Sequence, residues 1–445
     1  MSTKEFDYDV LYLGSGHGTF DGAIPLAATG KRVAVVESGL IGGTCPNRGC
    51  NAKITLDAPV ALQQTATALQ GLVSPQLELN WNATVAHKHE VIKDLPGFIA
   101  GLLKDAGVTL FKGRGHFIDP HTIAVGTQQL SAEKIVIATG LHPHRLDIPG
   151  RQLAHDSREF MNLQELPHRI VIIGAGYISL EFATIANAFG AQVTVLLRGD
   201  KALRKFHQPF VQKLLALLEK RGVTFIKNTT VTSFSEEYGV KQVHYNQTET
   251  VAADWILDAT GRNPNTEGLG LTELGVAYDE AGIIVNDHLQ TTVPNIYASG
   301  DVIKKKQPRL TPTAIFESKY LQQLFAGTTT APIDYPAIPS VVFSSPRIAR
   351  LGLSPVQAAQ DAAISQVHHN VLDNWYRHVE REQYGENILL FDKEHHLVGA
   401  TEISEHAEDV INALLPALEL KLDPAQVGRL IHLFPTISSA AWEGL

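Results

Sequence analysis

Apolar residues in this chain fall in short unbroken runs separated by glycine-rich turns. Residues 9–14, Asp-Val-Leu-Tyr-Leu-Gly, predict a buried strand. The turn Gly14-Ser15-Gly16-His17-Gly18-Thr19 follows, and the small residues Gly22 and Ala23 begin a helical stretch. Residues 31–37 predict a second strand, ending at Glu37. The order then returns: an apolar run over 169–173, the turn Gly174-Ala175-Gly176-Tyr177-Ile178-Ser179, a helix through Phe189, and a strand over 191–197 that ends beside Arg198. Strand, turn, helix and strand, repeated, predict an α/β fold built on parallel sheets. A helical stretch near 56–105 lies between the two repeats.

The turns carry the first chemistry. Gly14 permits a tight turn, and Gly16 lets the backbone approach a pyrophosphate at a helix N-terminus. Glu37 stands where a carboxylate holds a ribose hydroxyl, so this unit suits the unphosphorylated ribose of FAD. The third glycine of the motif is replaced by Thr19, beside Gly18. In the second unit Gly174 and Gly176 repeat the turn, but the ribose position holds Arg198, with Arg204 six residues later. Guanidinium groups suit the 2′-phosphate of NADP where a carboxylate suits NAD. The chain thus predicts two Rossmann-like nucleotide-binding domains, one for FAD and one for NADPH.

Composition narrows the picture. The net charge is −9 over 445 residues, which argues against a nucleic-acid partner. The Met1 to Asp9 segment shows no apolar leader core, and no segment is long and charge-free enough to span a membrane. A cytoplasmic protein is the expectation. Only two cysteines occur, and both lie in Gly42-Gly43-Thr44-Cys45-Pro46-Asn47-Arg48-Gly49-Cys50. Two thiols beside a nucleotide site favour redox exchange over inert, half-buried thiols. Structural zinc needs four ligands, and no second cluster of that spacing follows, so no metal site is expected. The pairs His368-His369 and His395-His396 read as surface residues.

These motifs together resemble the class I flavoprotein disulfide reductases over nearly the whole chain. The stretch from Val36 through Gly43-Thr44-Cys45 to Cys50 is similar to the redox signature of that family. Ala138-Thr139-Gly140 and the run from Ala259 through Gly261 to Asn265 resemble its domain junctions. The run from Pro294 to Gly300-Asp301 resembles its second FAD motif, and Ser344-Ser345-Pro346 the start of its dimerisation domain. The resemblance implies that FAD is held by Gly14, Gly16, Gly18, Glu37, Gly43, Thr44, Gly115, Thr139, Gly140, Gly300 and Asp301. NADPH is implied at Gly174, Gly176, Tyr177, Arg198, Arg204 and Gly261. Cys50 is implied as the thiol against the flavin and Cys45 as the thiol that meets the acceptor. Lys53 and Glu181 resemble the Lys–Glu pair near flavin N5, and Tyr177 the aromatic gate where nicotinamide stacks. Hydride then passes from NADPH to FAD, and two electrons pass to the Cys45–Cys50 disulfide and on to an acceptor.

Four segments are expected: an FAD domain over 1–145, an NADPH domain over 146–262, a central FAD segment over 263–333 and an α+β dimerisation domain over 334–445. A homodimer follows from the resemblance. The chain departs from the family in one place. The disulfide-reducing members carry a His-Pro-x-x-x-Glu acid–base pair near the C-terminus. Here Phe434 stands at the His position and Ser439 at the Glu position, with His432 a substitute candidate two residues earlier. Arg48, between the cysteines, is a candidate to favour a thiolate. The expected acceptor is a low-molecular-weight disulfide such as glutathione disulfide. The alternatives are a metal ion such as Cu(II) or a quinone, or a low-turnover redox sensor. Handling of mercury in the manner of mercuric reductase is not expected, because the C-terminal cysteine pair is missing.

Overall fold

The computed structural model describes residues 6–74 and 77–445. Met1–Glu5, on which the reading of a leaderless N-terminus partly rests, lie outside the described residues. The chain divides into two compact units. The first comprises the chain up to Ile54, Ala86–Pro143 and Arg262–Tyr335; the second comprises Thr55–Val85, His144–Gly261 and Pro336–Leu445.

In the first unit the apolar runs become a parallel sheet. Its strands lie in the order Thr109–Lys112, Val33–Glu37, Tyr8–Leu13, Gln128–Ile137 and Ile296–Ala298. The strands Gly115–Asp119 and Thr122–Val125 extend it as an antiparallel meander. Both faces are covered, so the strands are continuously apolar: Val10, Leu11, Tyr12 and Leu13 are all buried, as are Val33 to Val36. Register does the functional work. Leu13 pairs with Val36 on one side and Ile137 on the other, and Ala298 pairs with Ile137. The residues at and just beyond these strand ends therefore converge on one edge: Gly14, Glu37, Ala138-Thr139-Gly140 and Ser299-Gly300-Asp301. Motifs far apart in sequence meet because parallel strands end together.

The second unit repeats this with Thr224–Ile226, Gln192–Leu196, Arg169–Ile173, Trp255–Asp258 and Ala154–His155, all parallel. Its C-terminal part is an antiparallel sheet in the order Ser340–Val342, Arg347–Gly352, Leu397–Ser404, Glu386–Phe391 and Ser365–Asn370. The amphipathic helix Ala407–Glu419 buries Val410, Ile411 and Leu414 with Leu351, Leu389 and Phe391 of that sheet in one core. The stretch near 56–105 is three helices, Cys50–Ala68, Trp81–Ile92 and Leu95–Asp105. No helix is long and apolar enough to cross a membrane among the described residues.

Candidate active site

The glycine turn after Tyr8–Leu13 is closed by its own residues. Gly14 has φ +102°, and a Cβ there would stand 2.4 Å from the Ala138 carbonyl oxygen; its counterpart Gly174, at φ +124°, faces the Ala259 carbonyl in the same way. The substitution at the third glycine position has a physical reason. The Thr19 hydroxyl donates to the Gly14 carbonyl at 2.9 Å and locks the loop. The close helix approach has moved to Gly22, where a Cβ would stand 2.1 Å from the Ser318 carbonyl oxygen. Gly18 is buried, and its carbonyl accepts from the Ser299 hydroxyl at 2.7 Å.

Glu37 is held ready for a ligand. One carboxylate oxygen accepts from the Ser15 amide at 3.0 Å and the Ser15 hydroxyl at 2.7 Å; the other accepts from the Gly39 amide at 2.6 Å. The same Ser15 hydroxyl accepts from the Gly42 amide at 3.1 Å, so one fully buried serine ties the Glu37 carboxylate to the cysteine loop. The second glycine motif is braced by Glu317, whose carboxylate accepts from the Gly300 amide at 2.7 Å, Lys305 at 2.7 Å and the Tyr335 hydroxyl at 2.9 Å. Burial pushes the Glu317 carboxyl upward against these donors. Ser15 and Glu317 escape sequence reading. A serine inside a glycine motif and a glutamate in a helix carry no periodic signal.

The cysteines sit on a break between two helices. Helix Thr44–Arg48 ends at Gly49, and helix Cys50–Ala68 begins at once. A Cβ at Gly49 would stand 3.0 Å from the Thr44 carbonyl oxygen and 3.1 Å from the Cys45 Cα, so the close return to Cys45 favours glycine. Asn47 fastens the loop through its amide, which donates to the carbonyls of Ile41 and Gly43 at 2.9 and 2.8 Å. Both thiols are free, Cys45 half-buried and Cys50 exposed. Of the two thiols, Cys50 is the one favoured as the anion. The hydrogen bond from Cys45 lowers the Cys50 pKa to about 6, with help from the Thr311 hydroxyl, 3.5 Å away, and the Lys53 charge. The same bond drives Cys45 strongly upward. The start of a 19-residue helix also favours an anion at Cys50. The cation that acts on Cys50 is therefore Lys53, one turn along the helix. The Arg48 guanidinium points toward Gly39.

The remaining expected residues are placed as follows. The Thr139 hydroxyl donates to the Asn265 carbonyl at 2.7 Å, joining the two junction motifs, and Gly140 turns with φ +68°. Asp301 is half-buried, and its carboxylate has no hydrogen-bond partner among the described residues. Gly115 is buried, with the Leu13 and Val36 side chains against it. In the second unit Gly176 precedes helix Tyr177–Ala188, and Tyr177 at its head is 48% exposed. Glu181 is buried and accepts from the Phe343 amide at 3.0 Å. Lys53 belongs to the first unit and Glu181 to the second. Gly261 carries φ +155°. Arg198 and Arg204 are exposed and form no ion pair among the described residues, and Lys201 and Lys205 between and beside them are likewise exposed. In the C-terminal segment the His432 ring stacks on Trp442 at 4.6 Å, and Phe434, 69% exposed, lies 5.7 Å from Trp375. Ser439 is used in capping helix Ile437–Trp442 with Thr436.

The profile described as pyridine nucleotide-disulphide oxidoreductase matches residues 8–318, and that of the dimerisation domain of the same group matches 338–444. The chain belongs to the pyridine nucleotide-disulphide oxidoreductases. This oxidoreductase is 31% identical to a glutathione reductase of Nostoc sp. over 436 residues, covering 93% of this chain and 94% of the relative. It is 31% identical to a dihydrolipoyl dehydrogenase of Geobacillus stearothermophilus over 461 residues, covering 98% and 95%. Among solved structures, the HOCl-induced flavoprotein disulfide reductase RclA from Escherichia coli superposes with a TM-score of 0.89 at 27% identity, covering 98% of this chain and 99% of that one. The Cu(II) complex of RclA superposes with a TM-score of 0.88, covering 98% of each. The family binds FAD and uses NAD(P)H, so this chain is a flavoprotein oxidoreductase.

The residues present fit the cofactor. Glu37 is pre-oriented by three donors, and Asp301 keeps a carboxylate open at the same sheet edge. Gly16 has no side chain between the loop and the opening, and a Cβ there would meet nothing nearer than 3.9 Å.

Proposed function

We propose that this oxidoreductase carries electrons from NADPH through FAD to Cys45–Cys50, and that the dithiol reduces an acceptor that needs no proton relay, with Cu(II) as the leading candidate. Bound FAD supplies two-electron transfer between the nicotinamide and the cysteine pair. Arg198, Arg204, Lys201 and Lys205 give the second nucleotide unit a cationic loop, without ion pairs among the described residues, that suits a 2′-phosphate. Tyr177, exposed at the head of its helix, suits the gate over the flavin. The hydrogen bond from Cys45, with Thr311 and Lys53, favours Cys50 as the anion, and Cys45 faces the acceptor. Lys53 with Glu181 serves near the flavin, and Gly14, Gly16, Gly18, Gly43, Thr44, Thr139, Gly140, Gly300 and Asp301 line the FAD. The C-terminal domain supports a homodimer, and the expected compartment is the cytoplasm.

The observation that carries the choice of acceptor is the state of the C-terminal segment. Phe434 and Ser439 offer no general acid, and His432 is engaged against Trp442. A leaving thiolate would go unprotonated, a loss of about 10²–10⁴ in rate. A metal ion accepts electrons without that step, and the likeness to the Cu(II) complex of RclA supports it. The 31% identity to a glutathione reductase keeps glutathione disulfide as the second reading. Steady-state NADPH oxidation with Cu(II) and with glutathione disulfide separates them. Faster turnover with Cu(II), lost in Cys45→Ser, is expected. Equal or faster turnover of the disulfide sinks the metal reading.

A further inference from the structure

Sulfur is scarce in this chain and unevenly placed. Two cysteines and two methionines are all it contains. Met161 is 3% exposed and Met1 lies outside the described residues. Among the described residues, accessible sulfur is therefore confined to Cys45 and Cys50. Electrophilic chlorine donors attack sulfur before other side chains, with a preference set by thiolate character and exposure. In most proteins such an oxidant is dispersed over many methionines. Here it is directed to one dithiol, whose oxidation product is the disulfide that the relay reopens.

We propose that the Cys45–Cys50 dithiol itself consumes hypohalous acids and N-chloramines, which makes this enzyme a nicotinamide-dependent reductase of those oxidants. The step balances without an acid–base pair. The Cys50 thiolate and hypochlorous acid give Cys50 sulfenyl chloride and hydroxide. The Cys45 thiol then attacks the Cys50 sulfur; the S–S bond forms, the S–Cl bond breaks, chloride leaves, and the Cys45 proton turns the hydroxide to water. Chlorine gains two electrons, and the two sulfurs lose them. With an N-chloramine, the Cys45 proton leaves on the amine. Chloride needs no protonation, so Phe434 and Ser439 at the acid–base positions cost this reaction nothing. Gly49 and Asn47 hold the two sulfurs together, so the sulfenyl chloride meets a thiol before a second oxidant. This rests on the relay proposed above.

The test uses the FAD-loaded enzyme, reduced anaerobically with NADPH and freed of nicotinamide. The control is the appearance of two titratable thiols on reduction; if none appear, the relay reading fails and not this one. N-chlorotaurine is then added in steps below one equivalent, followed by thiol counting and peptide mass analysis. Loss of two thiols for each oxidant, as the Cys45–Cys50 disulfide, with Met161 unmodified, is the expected result. Cys45→Ser should instead add oxygen or chlorine at Cys50 and lose turnover on re-reduction. Oxygen on Met161 before the disulfide closes, or wild-type stoichiometry in Cys45→Ser, overturns the proposal.

Discussion

Cys50 owes its acidity to three neighbours of different kind: a thiol that donates, a hydroxyl that donates and a nearby ammonium. The sign of each is testable. Below a pH of about 6 the Cys50 sulfur takes up a proton, so thiolate absorbance in the reduced enzyme should fall through a midpoint there. Removing a group that favours the anion must raise the midpoint. Thr311→Val and Lys53→Met should each shift it upward, read by ultraviolet titration of the reduced enzyme. An unmoved midpoint in both would leave Cys45 as the sole cause. At the nucleotide end, Arg198→Ala with Arg204→Ala should raise the KM for NADPH by about tenfold or more and leave that for NADH nearly unchanged, because only the phosphate contact is lost. Parallel changes for both nucleotides would remove the phosphate role.

Single helices hold the motifs in place. Helix Thr311–Ala326 presents Thr311 to Cys50 at its start and Glu317 to the Gly300 turn farther along. Glu317 and Lys305 are 0% and 3% exposed, so neither charge is screened by water. Glu317→Ala leaves the Lys305 ammonium buried alone and should cost about 3–5 kcal/mol in urea unfolding, with FAD lost more easily. A change under about 1 kcal/mol would mean that Lys305 finds water instead. The last helix, Ile437–Trp442, begins in a capping box of Thr436 and Ser439. The position is permissive for glutamate, which is the usual third residue of that motif.

That tolerance makes the missing acid–base pair restorable in the whole molecule. The double variant Phe434→His with Ser439→Glu should keep its fold and raise glutathione disulfide turnover by up to about 10²–10⁴, while Cu(II) turnover stays near wild type. An unchanged disulfide rate would place the block on that substrate elsewhere. Activity that needs the C-terminal segment of a second subunit should also vanish on dilution to monomer, as followed by light scattering alongside NADPH oxidation. Full activity in the monomer would contradict the dimeric reading.

Much of this was legible in the chain itself. Apolar runs of strand length, glycines at turn spacing and an acid or an arginine at the next strand end are local signals. They marked both nucleotide units, the cysteine loop and the loss at Phe434. Other features depend on register and packing, which no local window contains. Parallel pairing of Leu13 with Val36 and Ile137 is what collects Gly14, Glu37, Ala138 and, through Ala298, Asp301 on one edge. Ser15 bridges Glu37 to Gly42, and Glu317 props Gly300, only because folding buries them where each amide lacks another partner. Residue type and spacing alone name the candidate groups for the chemistry, because each motif is a local pattern. Which cysteine is favoured as the anion depends on tertiary structure, because a thiol's acidity is set by the neighbours that folding places around it.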